Sequence, residues 1–175
     1  MGGRLLDRER LGDHIDRLYR AAWAMCGSPD EAEDLVQETF ARVLARPRLL
    51  RGGDDLAYLV AVMRNTMISG RRARRRTPPT VSIAAAEPAD TGAMSRPDEM
   101  AETREVFTAI AALSPDMRDA LVAIDVVGLS YAEAGRLLGA KEATITTRLH
   151  RARLQVAGRL DSPQPAAARR EEGDR

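Results

Sequence analysis

The fold is decided by residues 130–153, which read SYAEAGRLLGAKEATITTRLHRAR. Ser130 is followed three residues later by Glu133, and this capping-box spacing predicts the start of a short helix. Gly139 is expected to end that helix, because glycine readily adopts the left-handed conformation of a helix C-cap. A longer helix follows at once. The order of helix, glycine turn and helix is typical of a helix-turn-helix.

The longer helix has an outer face rich in basic and hydroxyl side chains. Ile145 and Leu149 lie four residues apart and predict its inward face, while Gly135 supplies a small residue where the two helices cross. Threonine and arginine on such a face can contact base edges and phosphates in a major groove. A plain amphipathic hairpin with a solvated basic face is the alternative. The candidate DNA-contacting residues are Thr144, Thr146, Thr147, Arg148, His150, Arg151 and Arg153.

A second group of helices is predicted upstream. The first helix runs from about Asp7 to Met25, with an apolar stripe along one side and Gly27 as its C-cap. The sequence SPDE at residues 28–31 has the capping-box pattern with proline in the first turn, and it predicts the start of the next helix. The stripe of the first helix consists of Leu11, Ile15, Leu18, Ala22 and Met25.

The second predicted helix is acidic on one face, and the third is followed by basic residues. The second helix has acidic residues opposite its apolar face and stops before Pro47. The third helix begins at Asp54 or Asp55 and is expected to end near Ser69-Gly70. A run of arginines, residues 71–76, follows directly.

Proline content and charge divide the chain into segments. Residues 77–97 contain four prolines and no periodic pattern, and they are predicted to form a flexible linker. The linker separates a domain over residues 7–76 from one over residues 98–160, and the tail 161–175 is expected to be disordered. The predicted fold class is all-α, with two small helical domains on a flexible linker and a helix-turn-helix as the C-terminal one.

Composition excludes several classes of function. Cys26 is the only cysteine, and His14 and His150 are far apart, so neither an intrachain disulfide nor a zinc cluster is expected. No stretch approaches the ~20 apolar residues of a membrane helix, and no signal-peptide pattern opens the chain, so a cytoplasmic location without membrane insertion is expected. The motifs contain no phosphate-binding loop or nucleophile–base pair, so no catalytic residue, metal or cofactor is expected. Trp23 and Cys26 are interpreted as core residues.

Several short motifs in both predicted domains carry a family resemblance. The C-terminal motifs are LSPDMRDAL at residues 113–121, GLSYAEA at 128–134 and TITTRLHRAR at 144–153. The N-terminal motifs are DEAEDLVQETF at residues 30–40 and MRNT at 63–66, with the basic run after it. In this order they resemble regions 4 and 2 of bacterial RNA polymerase sigma factors of the extracytoplasmic-function (ECF) group. The resemblance covers roughly residues 7–160.

The resemblance implies partners and roles for particular residues. The partners would be core RNA polymerase, through its β′ clamp and β flap, promoter DNA and an anti-sigma factor. Arg64 and Asn65 would face the −10 element, and the loop at residues 46–54 would capture a base flipped from the non-template strand. The polymerase-docking residues would be Asp34, Gln37 and Glu38. The cations along the opened strand would be Arg71, Arg72, Arg74, Arg75 and Arg76. Thr146, Thr147, His150 and Arg151 would read the −35 element, with Arg148 and Arg153 nearer the backbone.

Some positions depart from the family pattern. Tyr58 stands where the family usually has tryptophan, and Ser69-Gly70 replaces the more usual aspartate before the basic run. Lys141 stands where a serine cap is expected, so an imperfectly capped start is predicted for the recognition helix. The pair Thr146-Thr147 lacks the basic residue often found there.

Two other functions fit parts of the pattern. A stand-alone helix-turn-helix regulator would use only the C-terminal domain, with the N-terminal one for dimerisation or sensing, and would bind paired half-sites without polymerase. A helical interaction module with solvated basic faces would show no salt-dependent binding of nucleic acid.

Overall fold

The computed structural model describes residues 4–6, 9–46, 49–50, 55–76 and 97–161. The fold is helical, as predicted, apart from two short strands. These are β1 (Arg4–Leu5) and β2 (Leu49–Leu50), which pair antiparallel. Two residues are too few to show a strand periodicity, so this pair of strands could not be predicted from the sequence. The predicted linker up to residue 96, the tail from residue 162 and most of the loop at 46–54 lie outside the described residues.

The N-terminal helices begin and end close to the predicted caps. They are a 3-10 turn (Glu9–His14), α1 (Ile15–Cys26), α2 (Pro29–Ala45) and α3 (Asp55–Arg76). Gly27 ends α1 in the left-handed region, with a φ of 81°. The Ser28 hydroxyl accepts a hydrogen bond from the Glu31 amide at 3.4 Å and so caps α2.

Helix α1 is buried on several sides and not along a single stripe. Ala21, Ala22 and Ala24 are fully buried, and their small side chains let neighbouring helices approach closely. The predicted stripe holds at Leu11, Leu18, Ala22 and Met25 but fails at Ile15, which is 47% exposed. The reason is the 3-10 turn before it, whose three residues per turn shift the phase that a continuous α-helix would have kept.

Helix α3 continues through the basic run, so the prediction of an end near Ser69-Gly70 was wrong. The helix extends to Arg76 without interruption. Alanine and arginine are strong helix formers, and together they offset the roughly 1 kcal/mol that Gly70 costs in a helix interior. The basic run is therefore part of a helix and not of a loop.

The C-terminal helices contain one element that the sequence did not predict. The order is α4 (Pro97–Ala111), α5 (Pro115–Leu121), a π-helical turn (Val122–Val126), α6 (Tyr131–Leu138) and α7 (Glu142–Leu160). The π-helical turn follows α5 directly and precedes Gly128, which has a φ of 83°. At the start of α6 both halves of the Ser130–Glu133 capping box are formed, as predicted.

The α6–α7 turn is tight because Gly135 has no side chain. The Ala140 amide donates to the Gly135 carbonyl at 2.9 Å, and Gly139 takes a φ of 64°. A Cβ atom on Gly135 would lie 2.8 Å from the Ala140 carbonyl oxygen. The predicted need for a small residue at this crossing is confirmed.

The two groups of helices share a continuous apolar core. Helix α1 packs against α4 as well as α2, and the indole of Trp23 meets the ring of Phe107 edge-on, with centroids 5.0 Å apart. Trp23 is buried, as predicted, and Cys26 is half-buried. No helix within the described ranges is long and apolar enough to cross a membrane.

Replacing Gly135 with alanine should destabilise the chain by about 1–3 kcal/mol, because the new methyl group collides with backbone at the turn. Urea unfolding followed by circular dichroism measures the loss. The matched control is Gly158→Ala on α7, where a Cβ meets nothing within 4 Å. This control should gain about 0.5–1 kcal/mol from helix propensity. Equal effects at the two glycines would contradict the packing argument.

Candidate nucleic-acid interface

Helix α7 buries an apolar face against its neighbouring helices and exposes a polar face to solvent. Ile145, Leu149 and Ala152 are fully buried and anchor the helix on α5 and α6. Lys141 provides no side-chain cap, as predicted from the missing serine. The exposed side chains of the predicted set are Thr144, Thr146, Thr147, His150, Arg151 and Arg153, and Arg148 is partly exposed.

The two central threonines have their hydroxyl protons engaged by the helix itself. Thr146 donates to the Glu142 carbonyl and Thr147 to the Ala143 carbonyl, each at 3.0 Å. The oxygen lone pairs and the methyl groups remain on the exposed surface. These threonines are suited to accept a hydrogen bond from a base amino group or to contact a thymine methyl.

Two of the arginines on α7 are held by aspartates of α5 and the π-helical turn. Arg148 pairs with Asp116 at 2.6 Å, and Arg153 donates two hydrogen bonds to Asp125, at 2.9 and 2.6 Å. The hydrogen bonds that Arg153 donates to Asp125, together with the charge of that carboxylate, raise the pKa of Arg153. Neither aspartate was predicted from the sequence, because pairs 32 and 28 residues apart leave no periodic signal.

Arg151 is exposed on the same helix without such a tether. Among the described residues, neither Arg151 nor its neighbour His150 takes part in a hydrogen bond or ion pair. A guanidinium of this kind can make a bidentate contact with guanine or a contact with phosphate. Arg151 is therefore the cation on α7 most readily offered to a ligand.

The predicted pair Arg64 and Asn65 on α3 is separated by the structure. Asn65 is exposed and lines a groove of about 700 Å³ between α2 and α3, together with Arg42, Arg46 and Tyr58. Arg64 points elsewhere and pairs with Asp119 of α5 at 2.6 Å. Amide, phenol and guanidinium groups around one groove can stack on and hydrogen-bond an unstacked base.

The basic run at the end of α3 also divides into distinct environments. Arg71 is half-buried and donates to the Met25 carbonyl at 3.2 Å, which ties the end of α3 to α1. Arg72 and Arg74 are exposed. The side chains of Arg75 and Arg76 lie outside the described part of the chain. The run thus supplies at least two cations at the surface.

The acidic face predicted on α2 is present and exposed at Asp34, Gln37 and Glu38. Glu38 pairs with Arg42 at 2.6 Å, and Gln37 donates to Glu33 at 3.2 Å. Pairs of this kind on an exposed helix are weak and can be exchanged for a partner's cations.

A second groove lies beside the acidic face, between α2 and the end of α3. Its volume is about 380 Å³, and it brings Asp34 and Glu38 together with Arg74 and the Cys26 thiol. Burial raises the pKa of Cys26 to about 11, so the thiol is protonated at neutral pH and is a poor nucleophile. The residues that the structure describes hold no cluster of metal-ligating side chains.

Two family models match the chain. Residues 11–77 match "Sigma-70 region 2", and residues 103–156 match "Sigma-70, region 4". The first region includes the acidic face of α2 and both grooves, and the second includes the whole of α5, α6 and most of α7. The matches therefore fall on the surfaces described above.

Curated relatives agree with the family models. The chain is 32% identical over 153 residues to the ECF RNA polymerase sigma factor SigE of Mycolicibacterium smegmatis, covering 85% of this chain and 59% of that relative. It is 36% identical over 149 residues to the ECF RNA polymerase sigma factor EcfG of Rhodopseudomonas palustris, covering 83% of this chain and 80% of that one.

Solved structures are similar as well. The sigma factor RpoE of Bartonella quintana, solved in complex with the anti-sigma factor NepR, matches with a TM-score of 0.64 at 26% identity, over 90% of this chain and 100% of RpoE. CnrH, solved with the cytosolic domain of CnrY, matches with a TM-score of 0.60 at 23% identity over 87% of this chain and 86% of the other, which supports the fold.

Arg151→Ala should weaken binding of duplex DNA and lower the salt slope of the binding constant by about 1, because one cation is lost from the interface. Fluorescence anisotropy with labelled duplex DNA at several salt concentrations measures both. The control on the same helix is Arg159→Ala, since Arg159 donates to the Ala109 and Ala112 carbonyls. An unchanged slope in the Arg151 variant would remove Arg151 from the DNA contact.

Proposed function

Because the chain belongs to the ECF group of RNA polymerase sigma factors, we propose that it binds core RNA polymerase and directs transcription initiation to promoters that carry its −10 and −35 elements. One observation supports this most strongly. Regions 2 and 4 follow each other in order on one chain, and each has an exposed surface with side chains suited to nucleic acid. If the chain were a stand-alone regulator, its match to region 2 would have no role.

Region 2 would join the polymerase and the opened −10 element. The acidic face of α2, with Asp34, Gln37 and Glu38, is suited to an arginine-rich surface such as the polymerase β′ clamp. The groove beside Asn65 would receive an unstacked base. Arg72 and Arg74, together with the rest of the basic run, would neutralise the phosphates of the single strand.

Region 4 would read the −35 element as a duplex. Helix α7 would enter the major groove with Thr146, Thr147, His150 and Arg151 facing the base edges. Arg148 and Arg153 would contact phosphates at the rim, and this region would also contact the β flap. Two modest DNA contacts bridged by polymerase bind together far more tightly than either does alone.

The chemistry of initiation would belong to the polymerase, and the chain itself would need no catalytic group or cofactor. It would act in the cytoplasm, where its partner polymerase is found. Regulation by an anti-sigma factor would follow the example of RpoE, whose structure was solved in complex with NepR.

The proposal is tested by reconstitution with purified core RNA polymerase. Core enzyme alone should give scattered transcripts from genomic template, and core enzyme with this chain should give transcripts that start at a small set of positions. Sequencing the 5′ ends measures the difference. Scattered starts in both reactions, without formation of a complex on a sizing column, would overturn the proposal.

Reversing the acidic face of α2 with Asp34→Arg and Glu38→Arg should abolish binding to core polymerase, because cations would then meet cations. The matched control is Glu102→Arg with Glu105→Arg, which reverses two exposed charges on α4 and changes the net charge equally. Pull-down of core enzyme measures binding, and circular dichroism checks that both variants fold. Equal retention by both double variants would remove the docking role.

A further inference from the structure

Regions 2 and 4 are held against each other by an apolar contact. Trp23 of α1 meets Phe107 of α4 at an interplanar angle of 76°, and both side chains are buried. Gly27 lies so close to Ala111 that a Cβ on the glycine would come within 2.9 Å of the alanine Cβ. The helices of the two regions are in direct van der Waals contact.

An ion pair crosses the same interface. The Arg64 Nε of α3 donates to Asp119 Oδ2 of α5 at 2.6 Å, between residues 55 positions apart. Asp119 is almost completely buried, with 3% of its side chain exposed, and Arg118 also donates to it at 3.4 Å. One buried carboxylate thus balances two guanidinium groups.

The interface also contains polar groups that the closed arrangement does not satisfy. Trp23 Nε1 and Arg118 Nε are buried without a hydrogen-bond partner among the described residues. Burial lowers the pKa of Arg118, and the nearby positive charge of Arg71 adds to this effect. Unsatisfied donors and the like charges of Arg118 and Arg71 add a free-energy cost to the closed arrangement, and opening would relieve that cost.

We propose that the contact centred on Asp119 is an intramolecular latch, which holds regions 2 and 4 closed and withholds Arg64 from DNA. The inference rests on the proposed function in one respect, since it gives Arg64 a role at nucleic acid. The Asp119 carboxylate is paired with the Arg64 guanidinium, which a phosphate or base would otherwise bind. DNA and Asp119 therefore compete for the same cation, and DNA binding favours the open chain.

The chain carries its own reporter of this opening. Trp23 is the only tryptophan, and its indole lies in the interface. Asp119→Ala leaves two buried cations without their counter-ion, and Phe107→Ala removes the apolar half of the contact. Each should shift tryptophan emission of the full chain to longer wavelength and increase quenching by acrylamide. Asp116→Ala, on the same helix with an exposed side chain, should leave both unchanged.

A change in tryptophan emission indicates opening only if the variant retains its helices, and circular dichroism checks that it does. Wild-type emission and quenching in both the Asp119 and Phe107 variants would overturn the latch. The measurement uses no polymerase, so its failure would leave the proposed sigma function standing. Failure of the reconstitution would likewise leave the latch measurable.

A second experiment tests whether closure inhibits binding. The probe is a labelled single-stranded DNA oligonucleotide of random sequence, followed by anisotropy. Asp119→Ala should bind it several-fold more tightly than wild type. The reason is that a larger fraction of the variant is already in the open, binding-competent state. Arg64→Ala breaks the same ion pair but also removes the cation, so it should open without gaining affinity. Equal affinities in wild type and Asp119→Ala, or equal gains in both variants, would overturn the withholding of Arg64.

Discussion

The structure depends on the close packing of helix α1, whose three fully buried alanines let other helices approach from several directions. Large side chains at Ala21, Ala22 or Ala24 would separate α1 from α2 on one side and from α4 on another. Because α2 and α3 belong to region 2 and α4 to region 4, this one helix joins the two regions. Trp23 and Phe107 lie at that junction.

Local signals in the sequence were sufficient for the helices, their caps and the helix-turn-helix. Ser130, Glu133, Gly135 and Gly139 act within a few residues of each other, so their spacing contains the information. The end of α3 was missed because the helix propensity of the run 71–76 outweighs one glycine. The candidate site residues could be chosen from the sequence, but which of them are already paired could not be predicted.

Pairing was not predictable because it depends on contacts between distant segments. Asp119 lies beside Arg118 in a stretch that reads as an ordinary amphipathic helix, and both prove to be buried. The burial of a charged pair follows from the packing of α1 against α4 and the π-helical turn, which no local pattern records. For the same reason the different environments of the adjacent residues Arg64 and Asn65 could not be predicted from the sequence.

Three aspartates in α5 and the π-helical turn hold three arginines of the proposed DNA surfaces. Asp116 holds Arg148 and Asp125 holds Arg153 within region 4, whereas Asp119 holds Arg64 across the interface. Exchanging such a carboxylate for a phosphate conserves the number of ion pairs, so within region 4 the exchange leaves the fold intact. At Arg64 the exchange would also separate Trp23 from Phe107, and the loss of their apolar contact would oppose it. A ligand that engages both regions at once, such as a promoter held on polymerase, would offset more of that cost than a ligand bound to one region.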